Sequence, residues 1–153
     1  MRRSFYNELE NLGRRLLDMS SIVEIMIYEA IQSLTDQDLE LAHKVINDDE
    51  VVDIMESSID EECIKLLALQ SPLAADLRVV STVMKLVTDL ERMADNAVNI
   101  AEITVRIGNE PLIKALIHIP RMADITLGMV NDALDSFVKR ELEVVKEVIK
   151  RDD

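Results

Sequence analysis

Two carboxylates, Glu91 and Asp95, stand four residues apart in a long stretch free of Gly and Pro. In a helix that spacing puts both on one face, and Glu102 falls close to the same face. Carboxylate oxygens are hard ligands, suited to iron, manganese, magnesium or calcium, and zinc also accepts them. Two ligands do not complete a site, so Glu102, Asn99 or acids from another helix must contribute. Asp49 and Asp53 have the same spacing, with Asp49 where an apolar seam expects an apolar residue, and they are the best second donors. An apolar stripe of Leu77, Val80, Met84, Val87 and Val98 borders the Glu91 face. Charge at the edge of a core needs a counter-charge. From spacing alone, a metal cation and a basic side chain such as Arg92 or Lys85 both remain open.

Other residues offer less. Asp76 and Arg78 suit an ion-pair network or the capping of a helix start. His43 and His118 have no partner at zinc-ligand spacing. Cys63 is the single cysteine and lies on an apolar face with Ile59 and Leu66, which suits a small buried hydrophobe. The sequence contains no nucleophile elbow, no phosphate-cradling glycine loop and no Glu-x-x-His of the di-iron bundles. It therefore reads as a non-enzymatic protein.

The elements that must position these groups are long helices. Hydrophobic residues make up 48% of the chain, with only three Gly and three Pro, which favours helix over sheet. Phe5, Leu9, Leu12, Leu16, Met19, Val23, Met26, Ala30 and Ser33 step by four and three, a heptad seam from Ser4 to about Leu34. Thr35 to Asp38 resembles a capping box. A second helix carries Leu39, Ala42, Val45, Ile46, Val52, Met55, Ile59, Cys63 and Leu66 inward. Ser71-Pro72 opens a third, which runs to about Ile107 before Gly108. Three such helices with short links pack antiparallel.

The pattern then restarts. Met122, Thr126, Met129, Ala133, Ser136 and Phe137 match Met19, Val23, Met26, Ala30, Ser33 and Leu34 at an offset of 103. The expected fold is all-α: a long antiparallel three-helix bundle over residues 1–108, then the first part of a second, truncated repeat over 109–153. A stripe of Leu127, Val130, Leu134 and Phe137 is expected to lie uncovered, predicting a homo-oligomer. The net charge of −13 argues against nucleic acid as a partner. No apolar run approaches the ~20 residues of a membrane span. The opening Met1-Arg2-Arg3-Ser4, with Glu8 and Glu10 close behind, is unlike a secretory signal, so the expected location is cytoplasmic.

The segment Pro72-Leu73-Ala74-Ala75-Asp76-Leu77-Arg78, the run Asp89 to Asp95 and the two-copy layout together resemble the PhoU family. The resemblance implies a regulator of phosphate uptake and phosphate-starvation signalling. Its implied partners are the phosphate ABC transporter ATPase and a sensor histidine kinase, with signalling repressed when phosphate is plentiful. It also implies two three-helix repeats and, in some members, multinuclear iron or zinc clusters held by a Glu/Asp-x-x-x-Asp motif, here Glu91 to Asp95. With the further donors that spacing offers, the expected metal residues are Glu91, Asp95 and Glu102, with Asp49 and Asp53. Two alternatives stand beside this reading: an accessory protein of a sodium–phosphate or low-affinity phosphate carrier, and a carboxylate-bridged metal-binding helical protein.

Overall fold

The computed structural model describes residues 2–70 and 74–152. They form five helices: α1 (Arg2–Asp36), α2 (Leu39–Gln70), α3 (Ala74–Ile107), α4 (His118–Lys139) and α5 (Leu142–Asp152). No strand occurs among the described residues. No described helix is long and apolar enough to cross a membrane.

The first three helices pack on one another in a bundle. Every α1 seam position is buried except Leu9, which packs half-buried against the core. From α2, Ala42, Val45, Val52, Ile59, Cys63 and Leu66 enter the same core. The inward face of α3 is Val80, Val83, Val87, Leu90, Ala94, Ala97, Ala101 and Thr104. Three alanines on one face let the second half of α3 approach α1 and α2 closely. Leu77, expected on this stripe, is 45% exposed instead. It lies a residue off the row that Val80, Val83 and Val87 define, on the side turned to solvent. Arg15 ties α1 to α2 across the surface, donating to Ser58 Oγ at 2.9 Å and pairing with Glu62.

The α1–α2 turn differs in detail from the sequence expectation. Thr35 still belongs to α1 and donates back to the Ile31 carbonyl. Asp38 is the cap: its Oδ1 accepts from Leu41 N–H at 3.0 Å. Gln37 between them is left-handed, at φ 54°. Its side-chain amide donates to the carbonyls of Gly108 and Glu110 and so holds the end of α3. Ser71-Pro72-Leu73, the front of the expected third-helix signal, lies outside the described residues.

The second copy repeats the backbone of the turn and its serine bonds at the expected offset. Arg140 is left-handed at φ 59°, 103 residues after Gln37. Ser33 and Ser136 each donate to the alanine carbonyl three residues back at 2.7 Å. Each of their own carbonyls accepts the N–H five residues on, from Asp38 and Glu141, at 2.9 Å. Helix α4 lies against α1, and α5 against α4. The stripe expected to be uncovered is not: Val130 and Leu134 are buried, Phe137 packs against the core and Leu127 is half-buried. The reason is that this face of α4 turns onto α1. The exposed apolar residues are others, including Met122, Val138, Leu142 and Ile149.

Candidate functional site

The antiparallel run of α2 and α3 sets Asp49, Asp53 and Glu56 beside Glu91 and Asp95. The carboxyls feel one another. Asp49 is pushed above its usual value, first by burial and then by Asp53 and Asp95. Glu91 is also pushed up, by burial first and then by Asp95, Glu56, Asp53 and Asp49. Both shifts say that ionisation is disfavoured here, by desolvation and like charge together.

The geometry explains the burial. Asp49 sits in the α2 row between Val45 and Val52, both fully buried, so the seam draws its carboxyl inward. Its Oδ1 is buried with no hydrogen-bond partner. Glu91 follows buried Leu90 on α3 and is half-buried, whereas Asp53 and Asp95 are exposed. Among the described residues no Lys or Arg forms an ion pair with any of these four acids. Arg92, a candidate counter-charge, turns to Asp89 at 3.7 Å.

Glu102 does not join the group. It shares the face of Asp95 but stands two turns further on, ~10 Å along the axis, and it is exposed. Sequence reasoning missed Glu56. Its Oε1 accepts from the Thr88 hydroxyl on α3 at 3.3 Å, at the edge of the cluster. The signal was present: Asp49, Asp53 and Glu56 step by four and three, as the seam does. The same row reaches Asp60, whose Oδ1 is also buried without a partner.

Oxygen-only donors and an orphaned buried acceptor suit a hard cation. Among the described residues, however, no group of three or more His, Cys, Asp and Glu is arranged to hold one ion. Like charges without a cation between them favour rotamers that keep apart. In the second copy, Asp152 stands 103 residues after Asp49 and is exposed at the end of α5.

Comparison with known proteins follows the same lines. The family model described as PhoU domain matches residues 16–104 and 119–153. The chain is 38% identical over 148 residues to a phosphate-specific transport system accessory protein PhoU homolog of Aquifex aeolicus, covering 97% of this chain and 67% of that protein. It is 39% identical over 153 residues to the Clostridium acetobutylicum homolog, covering 99% and 70%. The crystal structure of PhoU from Pseudomonas aeruginosa superposes with a TM-score of 0.92 at 33% identity, over 97% of this chain and 71% of the other.

Proposed function

From the premise that this chain belongs to the PhoU domain family, we propose that it is a non-enzymatic accessory regulator of phosphate transport. It works by protein–protein contact with the phosphate ABC transporter ATPase and a sensor histidine kinase, on the cytoplasmic side. The observation that carries this reading is the extent of the family match, which spans both copies of the repeat and includes the whole Asp89–Asp95 run. The geometry agrees with it: stiff helices ~50 Å long present an acidic surface, complementary to basic partner surfaces. Deleting the protein is expected to switch on starvation genes in phosphate-rich medium. A pull-down from phosphate-replete cells is expected to recover the ATPase or the kinase. Recovery of neither, with starvation control intact in the deletion strain, would refute the proposal.

The orphaned Oδ1 of Asp49 favours a second reading, that the cluster is a cation site. Asp49, Asp53, Glu56, Glu91 and Asp95 would hold the ion, iron and zinc being the family's choices. A bound cation would neutralise the carboxylates and pin α2 to α3. Elemental analysis of protein purified without chelator tests this. Near-stoichiometric metal that disappears in an Asp49→Asn/Glu91→Gln variant is expected. A metal-free protein whose Tm does not respond to added iron or zinc would sink it.

A further inference from the structure

All the basic residues of α3 stand in one register. Arg78, Lys85, Arg92 and Arg106 are separated by seven or fourteen residues, and Asn99 takes the remaining place. Each of the five is exposed. On a helix this interval draws a row along one face, with side chains ~10.5 Å apart over a length of ~42 Å. The row lies opposite the buried face of Val80, Val83, Val87, Leu90 and Ala94. Ile103, 45% exposed, stands beside its far end. Helix α3 packs on α1 and α2 and on neither α4 nor α5, and the row is on its other side.

The acids of α3 are kept off this row. Glu91, Asp95 and Glu102 lie on the flank toward α2, and Asp76 belongs to the first turn. Asp89 is the exception, and it reaches Arg92 at only 3.7 Å. Arg78, Lys85 and Arg106 form no ion pair among the described residues. In a chain of net charge −13, three cations in register thus stay without an acid.

We propose that this row is a docking edge for an acidic helix of a partner protein, laid alongside α3 with Glu or Asp at seven-residue intervals. This goes beyond the regulatory role proposed above and does not depend on it. The interval selects a helix. Two helical turns repeat every ~10.5 Å, whereas side chains on one face of a strand repeat every ~7 Å. Seven residues fall ~20° short of two full turns, so the row winds slowly about α3, and a helix crossing at about +20° follows it. An anionic membrane fits less well. The row is one residue wide, and a plane laid on it also approaches exposed Asp95 and Glu102. Nucleic acid is opposed by the net charge. Exposed ion pairs contribute little each, so the contact is reversible, sensitive to salt, and sets orientation more than affinity.

The probe is a fluorescent helical peptide of Ala and Gln with Glu at every seventh position, followed by anisotropy against the full chain. A Kd on the order of 100 µM is expected at low salt, rising about 10-fold in high salt. An isomer with the same Glu spread around the helix should bind about 10-fold more weakly. Arg78→Glu/Lys85→Glu/Arg106→Glu should lose at least about 10-fold with an unchanged far-ultraviolet spectrum. Lys139→Glu/Lys146→Glu/Lys150→Glu, on α4 and α5, changes the net charge equally and should lose no more than about twofold. Absence of binding at low salt would overturn the proposal, as would equal affinity for the two isomers or equal losses in the two variants. Phosphatidylglycerol vesicles that capture the wild type but not the α3 variant, with the peptide unbound, would give the row to a lipid surface instead.

Discussion

The α1–α2 pair and the α4–α5 pair share one turn and differ in what lies on them. Gln37 and Arg140 take the same left-handed conformation, and the serine bonds around them agree in length. Yet α2 contributes six fully or almost fully buried apolar side chains and α5 none. The difference is α3, which closes the first pair into a core on three sides. A helical hairpin is thus encoded locally, but its burial comes from the third helix. The same contrast explains where free apolar surface remains.

Truncation of core side chains gives the largest expected effect. Leu16→Ala, at a fully buried position, should cost about 2–5 kcal/mol by chemical denaturation. Val148→Ala on α5 should cost under ~1 kcal/mol in dilute protein. Comparable losses would mean that the two hairpins are equally buried and would break the contrast.

Thiol labelling sharpens it kinetically. Burial pushes Cys63 up to about 11 from 9.0, with Asp60 and Glu62 adding to the shift. Two units mean ~100-fold less thiolate than a free thiol holds at mildly alkaline pH, before access is counted. In a Cys63→Ala background, Val145→Cys should label at nearly the free rate. Cys63 in the wild type should label at least about 100-fold more slowly. Similar rates would show that the bundle opens as readily as α5.

A smaller change is expected at the acidic seam. Asp49→Leu replaces an unsatisfied buried carboxyl with the apolar side chain that its row calls for, and should stabilise chelator-treated protein by about 1–2 kcal/mol. The sign with pH follows from the raised value of Asp49. Its penalty is absent below the free carboxyl value of 3.8 and grows as pH rises through the folded value. The gap between variant and wild type should therefore widen from acid toward neutral pH. A constant gap would place the benefit in packing alone.

The turns give the smallest effect. Arg140→Gly relieves a left-handed backbone and should gain about 0.5–1 kcal/mol in dilute protein. Gln37→Gly relieves the same strain but gives up the bonds to Gly108 and Glu110, so it should gain nothing. Equal gains would show that α3 does not depend on that clasp.

Much of this was legible in the residues. The seam from Phe5 to Ser33 and the stop at Gly108 follow from period and propensity, as does the 103-residue repeat. The α3 face was read less well, because Ala94, Ala97 and Ala101 carry a weak hydropathy signal that only close packing turns into a contact. Spacing singled out Glu91 and Asp95 as candidates. Glu56 was not, since its place depends on how α2 slides against α3. Leu127, Val130, Leu134 and Phe137 formed a correct stripe with the wrong fate, because amphipathic period shows that a face is apolar and says nothing of which helix meets it.

Sequence alone determined the helices and where their apolar stripes run, because hydrogen bonding within a helix and the 3.6-residue period are local. Only the tertiary structure decided which acids share a field, which stripe meets α1 and which stays bare. Those outcomes depend on the register and approach of helices far apart in the chain, where burial and charge act through space.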